Sequence, residues 1–460
     1  MLLGVVVAAG LAVLGCAPGP AALPDIVLVV IDTLRADHLG SYGHGRAQTP
    51  RLDDFAARGT RFSMARATSS WTLPSTASIL SGRYPAEHGA ERMTLMIGEK
   101  QLMMAEMLAA GGYDTAGFSA NAAVVTPESG FAQGFGRFDV LERRGEQSGP
   151  DPVWPSSAQK PAQPDATADV VTDAALAWVS SRAAASHPYF LYVHYFDPHA
   201  SYSPPRAYAE KFGVRSDDPL RGPGQALVML KKTLTDQELA TLRALYDAEI
   251  AFMDHEVGRL LDGLGFGRRR DVVVVITADH GEEFGDHGRM QHTKTLYEEV
   301  LRVPLLIGGG DFSSGQVVAA PVSLVRIFPT IAELARVAPP SGLPGRSLLP
   351  VLRGAAPAPE PETVFADLPS GAVHRAAVVD GSWKLVLDHG FAPVLYDLAA
   401  DAGETTQRNQ SQGARATALQ KAIGEHNKIC YRARAAAPPV PITVEPDRRE
   451  RLRQLGYVVD

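Results

Sequence analysis

The sequence predicts an α/β protein. A large, mostly parallel mixed sheet is flanked by helices, and a smaller C-terminal α+β domain carries an antiparallel sheet. Three observations lead there. Short unbroken apolar runs such as DIVLVVID (25–32) and VVVVIT (272–277) have the length and β-branched content of strands buried on both faces. Amphipathic stretches of helical period separate these runs, the alternation expected of parallel sheets. Beyond residue 363 the apolar runs shorten and follow one another without intervening helices, as antiparallel hairpins do.

The first strand ends at Asp32. RLDDFAARGTRF then reads as a helix stopped at Gly59. SSWTLPSTAS (69–78) reads as a helix start, with Pro74 suited to a first turn and Thr72 or Ser75 available to cap free N–H groups. QLMMAEMLAAGGYDTAGFSAN (101–121) gives helix, glycine stop and strand, ending in Asn121. ATADVVTDAALAWVSSRAA is an amphipathic helix, and YFLYVHYFDPH (189–199) is a strand with a polar end. A long helix over LTDQELATLRALYDAEIAFMDHEVGRLLDGL precedes the strand that runs into ADHGEEFG. RRGEQSGPDPVWPSSAQKPAQPDATAD (143–169), rich in Pro, Gln and Ser, is expected to be a flexible surface excursion. RGAAPAPEPET (353–363) reads as the linker between domains spanning 25–354 and 363–460. TVFADL, HRAAVVDGSWKLVLDHG and PVLYDL supply the antiparallel strands of the second, and a helix follows around ARATALQKAIGEHNKI.

The chain has 460 residues, 45% hydrophobic and 21% charged, as expected of a folded protein with a sizeable core. A formal net charge of -7 argues against non-specific nucleic-acid binding, which needs a basic surface. The apolar N terminus, MLLGVVVAAGLAVLGC, is short for a membrane span and fits the h-region of a secretory signal over 1–24. VLGC resembles a bacterial lipoprotein box, which would make Cys16 the lipidated first residue of an exported protein, periplasmic or on the outer membrane. Membrane contact would then come through that lipid anchor. The only other cysteine, Cys430, would be left without an internal partner, so no disulfide framework is expected.

In open α/β sheets, ligands bind beyond the carboxyl ends of the strands. Asp32, Asp279, His280, Asn121, Asp197 and His199 all fall there. Each alone has an ordinary role as a turn former or cap; together on one sheet edge they form a candidate site. Two carboxylates and an imidazole suit one divalent cation such as Mn, Zn or Ca, with no cysteine to make a structural zinc site. A cation on Asp32, Asp279 and His280 has room for one more protein oxygen. Thr72, at a helix amino terminus that also favours anions, can supply it and become a nucleophile.

Five segments occur in order: PDIVLVVIDTLRADHLGSYG, WTLPSTASILSGRYPAEHG, HYFDPHASYSPP, TADHGEEFGDHG and HTKTLYEEVLRVPLLI. Together they resemble the sulfatase family, a branch of the alkaline phosphatase superfamily. VSLVRIFPTIAELA, GLPGRSLLPVLRG, WKLVLDHG, VLYDLAADAGE and RLRQLGYV extend the resemblance toward the C terminus. It implies an alkaline phosphatase-like fold and a metal-dependent hydrolase of small anionic esters. The metal ligands would be Asp32, Asp279 and His280, with Thr72 as nucleophile. His199 and His292 would hold the anionic group or leaving group, and Asn121, Lys294 and His287 are further substrate-binding candidates.

Three departures from the family pattern shape the expected chemistry. Sulfatases oxidise the Cys or Ser of a Cys/Ser-x-Pro-x-Arg motif to formylglycine; here the motif reads Thr72-Leu73-Pro74-Ser75-Thr76, and threonine cannot give that aldehyde. Asp32 is followed by Thr33, where many relatives carry a second aspartate. His280 stands where calcium-binding relatives often carry Asn, which favours Mn or Zn. An ester of threonine must be resolved by attack at its central atom, so phosphate mono- or diesters are the expected substrates, with phosphotransfer to an acceptor alcohol a related outcome. The alternatives are a sulfatase proper and, in another class, an inactive lipoprotein that binds an anionic glycan or lipid headgroup.

Overall fold

A computed structural model of the chain describes residues 22–454, apart from 142–166, 183–184, 222–224, 226–228, 230–232, 270, 357, 360–361, 371–372 and 389. The signal segment with Cys16 and nearly all of the 143–169 excursion lie outside the described residues. Among those described, no helix is long and apolar enough to cross a membrane.

The centre is an eight-stranded sheet. Its order is Gln316–Val318, Thr60–Phe62, Leu305–Gly309, Val272–Ala278, Asp25–Ile31, Tyr189–Tyr195, Asp114–Ser119 and Arg137–Val140. Leu305–Gly309 runs antiparallel to both its neighbours, and every other pairing is parallel. Every residue of the three central strands is buried. Such burial stabilises by roughly 1.5–3 kcal/mol per large aliphatic side chain, which explains why these runs are apolar without alternation.

Register brings the candidate residues together. Ile31 lies opposite Ala278, so Asp32 and Asp279 leave adjacent strands at the same level. His194 lies opposite Val30 on one side and Ser119 on the other, just inside that edge.

The helix Thr72–Ser81 is buried along its whole length. It ends at Gly82, whose φ of 69° lies in the left-handed region and whose N–H bonds Ser78 O. The expectation that Thr72 or Ser75 caps this helix is corrected. Trp71 occupies the N-cap position and makes no side-chain cap bond, as an indole has no acceptor to offer. Thr72 is the first helical residue, and the Ser75 hydroxyl instead donates to Asp279 O. That bond ties the helix start to the strand end beside it.

The long helix Asp236–Gly263 starts with a capping box between Thr235 and Glu238. Its Asp254 carboxylate accepts the Arg51 and Leu52 N–H groups at the start of helix Pro50–Arg58, at 3.1 and 2.8 Å. The C-terminal strands Val364–Ser370, Val373–Asp380, Trp383–Asp388 and Val394–Asp397 form an antiparallel meander. Helix Gly413–Arg434 packs on it through Leu419 and Ile423. Lys384 of this meander is fully buried and ion-paired to Glu298 at 3.0 Å and to Glu404 at 2.9 Å. Glu298 also receives Arg66, whose guanidinium is 1% exposed.

Candidate active site

Asp32, Thr72, Asp279 and His280 converge with no solvent exposure. His280 Nε2 lies 3.3 Å from Thr72 Oγ1, 3.5 Å from Asp279 Oδ2 and 3.6 Å from Asp32 Oδ1. Its other ring nitrogen donates to Gly281 O at 2.9 Å, which leaves the Nε2 lone pair turned toward the three oxygens. The loop carrying this ring packs tightly: a Cβ on Gly281 would meet Glu299 O at 2.1 Å, so only glycine fits there.

Asp279 Oδ1 accepts the backbone N–H groups of Thr33 at 3.3 Å and His280 at 2.9 Å. Asp32 Oδ2 accepts the Asn121 amide at 2.7 Å and faces His194 Nε2 at 3.3 Å. The two remaining oxygens, Asp32 Oδ1 and Asp279 Oδ2, are buried with no hydrogen-bond partner. They are the two that face His280 Nε2.

The electrostatics repeat the point. Burial and then the charge of Asp32 push Asp279 well above the usual carboxylate range. For Asp32 burial acts the same way, but the His194 hydrogen bond and the neighbouring imidazoles outweigh it and hold the group low. Two carboxylates at this separation share one charge between them unless a cation joins them. The orphaned oxygens and the imidazole lone pair therefore fit a divalent metal ion.

His199 and His292 lie beside this centre, each 2% exposed. The His292 ring is 4.6 Å from that of His280 and 5.0 Å from that of His199. Burial lowers the pKa of both, that of His199 to about 4 and that of His292 well below its ordinary value. His292 Nδ1 is 3.0 Å from Glu282 Oε1, and Tyr202 donates to Glu282 Oε2 at 3.1 Å. Lys294 is exposed and donates to Met290 O at 2.9 Å. His287 sits in another cluster, 2.6 Å from Glu299 Oε1 and 3.2 Å from Gly403 O.

Three residues of this neighbourhood escaped the sequence reading. His194 joins Asp32 and Asp279 in a set whose ligand atoms lie within 4.8 Å of one another. Its Nδ1 is 2.8 Å from the Tyr192 hydroxyl. With that hydroxyl donating, Nε2–H donates to Asp32 and orients it. The signal was a histidine inside an otherwise apolar and aromatic strand. Glu282 and Tyr202, which brace His292, carried no signal beyond their nearness to the motifs.

A family model described as Sulfatase matches residues 24–337. The chain belongs to the sulfatase family. Among the relatives of this sulfatase-family chain, an uncharacterized sulfatase of Escherichia coli is 24% identical, over 83% of this chain and 82% of its own. A multifunctional alkaline phosphatase superfamily protein of Trinickia caryophylli is 25% identical, over 83% and 90%. The structure of the phosphonate monoester hydrolase of Agrobacterium radiobacter superposes with a TM-score of 0.71 at 22% identity, covering 92% of this chain and all 100% of that one. The alkaline phosphatase-like fold expected from the sequence is the fold observed, and the chain is an ester hydrolase of this family.

Proposed function

We propose that the protein hydrolyses phosphate mono- or diesters, with Thr72 as the nucleophile and one divalent cation on Asp32, Asp279, His280 and Thr72. One observation carries the reading: the Thr72 hydroxyl lies at the start of a buried helix, 3.3 Å from the imidazole nitrogen that two unpartnered carboxylate oxygens also face. The cation, when bound, supplies the positive charge that makes the hydroxyl acidic and lets both carboxylates ionise.

The protein groups divide the remaining work. Thr72 Oγ1 passes its proton to one of the neutral imidazoles beside the site, His199 or His292, and forms the new bond to phosphorus as the ester oxygen leaves. The helix amino terminus and the neutral imidazoles of His199 and His292 face the anionic oxygens. Burial alone keeps these rings neutral, but an anionic ester beside them favours their protonated forms. A ring charged in this way protonates the departing alkoxide. Water then attacks the phosphothreonine at phosphorus and releases Thr72 together with phosphate from a monoester or a phosphate monoester from a diester. Asn121 and His194 hold Asp32 in place throughout, and exposed Lys294 stands near the rim as a weaker substrate contact.

Sulfate ester hydrolysis is the second reading, favoured by relatives that carry the name sulfatase. The purified protein should be assayed on bis-aryl phosphate, aryl phosphate and aryl sulfate, with and without chelator. Chelator-sensitive phosphate ester turnover is expected. Turnover of the sulfate ester alone would overturn the phosphorus reading, and no turnover on any ester with metal bound would leave a binding protein.

A further inference from the structure

Glu283 lies on the short strand Glu283–Phe284, paired to Met290–Gln291 just past the active-site loop. It is 0% exposed, yet neither carboxylate oxygen has a hydrogen-bond partner. A buried carboxylate with no donor is costly enough to call for an explanation. The Thr295 hydroxyl is the donor beside it, near enough to favour its charged form but outside hydrogen-bond geometry. Glu283, Glu299 and His287 each place a ligand atom within 4.8 Å of the others. His287 and Glu299 are themselves largely covered, with side chains 16% and 7% exposed. The His287 ring is fixed by stacking on Tyr297, centroids 3.6 Å apart, and its second nitrogen faces Gly403 O at 3.2 Å.

We infer that Glu283, Glu299 and His287 form a second divalent-cation site, separate from the Asp32–Asp279–His280 centre, with the Thr295 hydroxyl available as a fourth donor. Two carboxylates neutralise a divalent charge, and mixed oxygen and imidazole donors suit Mn²⁺ or Zn²⁺ over Mg²⁺. The cation takes the place of the proton now shared between His287 Nδ1 and Glu299 Oε1. It satisfies Glu283 more fully than the nearby Thr295 hydroxyl can. Bound there, it would join the loop that carries Glu282 to the 295–299 segment and, through His287, to the turn at Gly403. Burial, with the charge of Glu299 next, pushes Glu283 up to about 8, the direction expected of a carboxylate that lacks its cation.

The rival explanation is that Glu283 simply carries a proton. Glutamine mimics that protonated form, so Glu283→Gln separates the two. The full-length protein is stripped with chelator, re-equilibrated with Mn²⁺, desalted and its manganese counted per chain. Glu283→Gln should lose one equivalent relative to the wild type, as should Glu299→Gln, and Mn²⁺ should raise their thermal midpoints less than it raises that of the wild type. Asp279→Asn reports on the other centre: if only that reading fails, Asp279→Asn binds as the wild type does while Glu283→Gln still loses its equivalent. Glu283→Gln binding as much manganese as the wild type overturns the inference. So does an unchanged count in Glu299→Gln should Glu283→Gln fail to fold.

Discussion

Replacing Lys384 by methionine tests how the C-terminal meander is held to the Glu298 segment. The ammonium is fully buried between Glu298 and Glu404, at 3.0 and 2.9 Å. Burial works against its charge, but Glu404 and Glu298 outweigh this and raise its pKa. Methionine keeps the apolar stem and deletes the charge. Glu298 retains Arg66. Glu404, 2% exposed, loses its cation and escapes by taking up a proton. Burial already holds Glu404 above its ordinary value of 4.5 in the native protein, so about 3.4 kcal/mol, at ~1.36 kcal/mol per unit, is the ceiling for neutralising it at pH 7 in the variant. Breaking a buried pair costs ~3–5 kcal/mol in general, so a loss of about 3 kcal/mol is expected. For a chain of this size that lowers the thermal midpoint by about 3–4 °C. The sign with pH follows: a carboxyl whose folded pKa is raised makes the fold more stable as pH falls toward its unfolded value. The deficit should therefore shrink to about 0.7 kcal/mol near pH 5, and Glu404→Gln added to Lys384→Met should recover most of it at pH 7. Paired denaturation curves at the two pH values read this out. A loss under about 1 kcal/mol at pH 7, or one unchanged at pH 5, refutes the reasoning.

Other predictions address the site and its supports. Thr72→Ala should cut ester turnover by roughly 10³-fold or more, while Thr72→Ser retains part of it, with folding checked by circular dichroism. Asp279→Asn should abolish chelator-sensitive turnover and reduce bound metal at that centre, as elemental analysis will show. Asn121→Ala removes the 2.7 Å donor to Asp32 and should weaken metal affinity about 10–100-fold in a chelator titration. Asp254→Ala leaves two N–H groups of the first turn of helix Pro50–Arg58 without their acceptor. It should cost about 1–2 kcal/mol in denaturant unfolding with turnover retained.

The parts of this molecule that could be read from sequence are those where chemistry sits at the end of a pattern. Asp32, Asp279 and His280 each follow an apolar run, so their place at the sheet edge follows from the run itself. His194 lies within such a run, where nothing local separates a ligand-facing histidine from a packed one; only the register with Val30 and Ser119 shows its neighbour. The capping roles of Thr72 and Ser75 were misjudged for a related reason. A hydroxyl at a helix start has a plausible local use, and the actual use of Ser75, a bond to Asp279 O, spans 204 residues. Glu283, His287 and Glu299 meet only because the loop between them doubles back through the Glu283–Phe284 and Met290–Gln291 pair. The reversed direction of Leu305–Gly309 within the central sheet likewise depends on chain direction, which an apolar run does not encode.

The alignment of Ile31 with Ala278 makes the backbone ladder itself a ruler for the Asp32 and Asp279 carboxylates. Slipping either strand by one residue would move its carboxylate by about 3.3 Å and turn it to the opposite face of the sheet. Side-chain repacking cannot restore such a loss. Insertions and deletions are therefore expected to accumulate in the connections of this fold and to be excluded from its two central strands, even where an added residue would be apolar and easily buried.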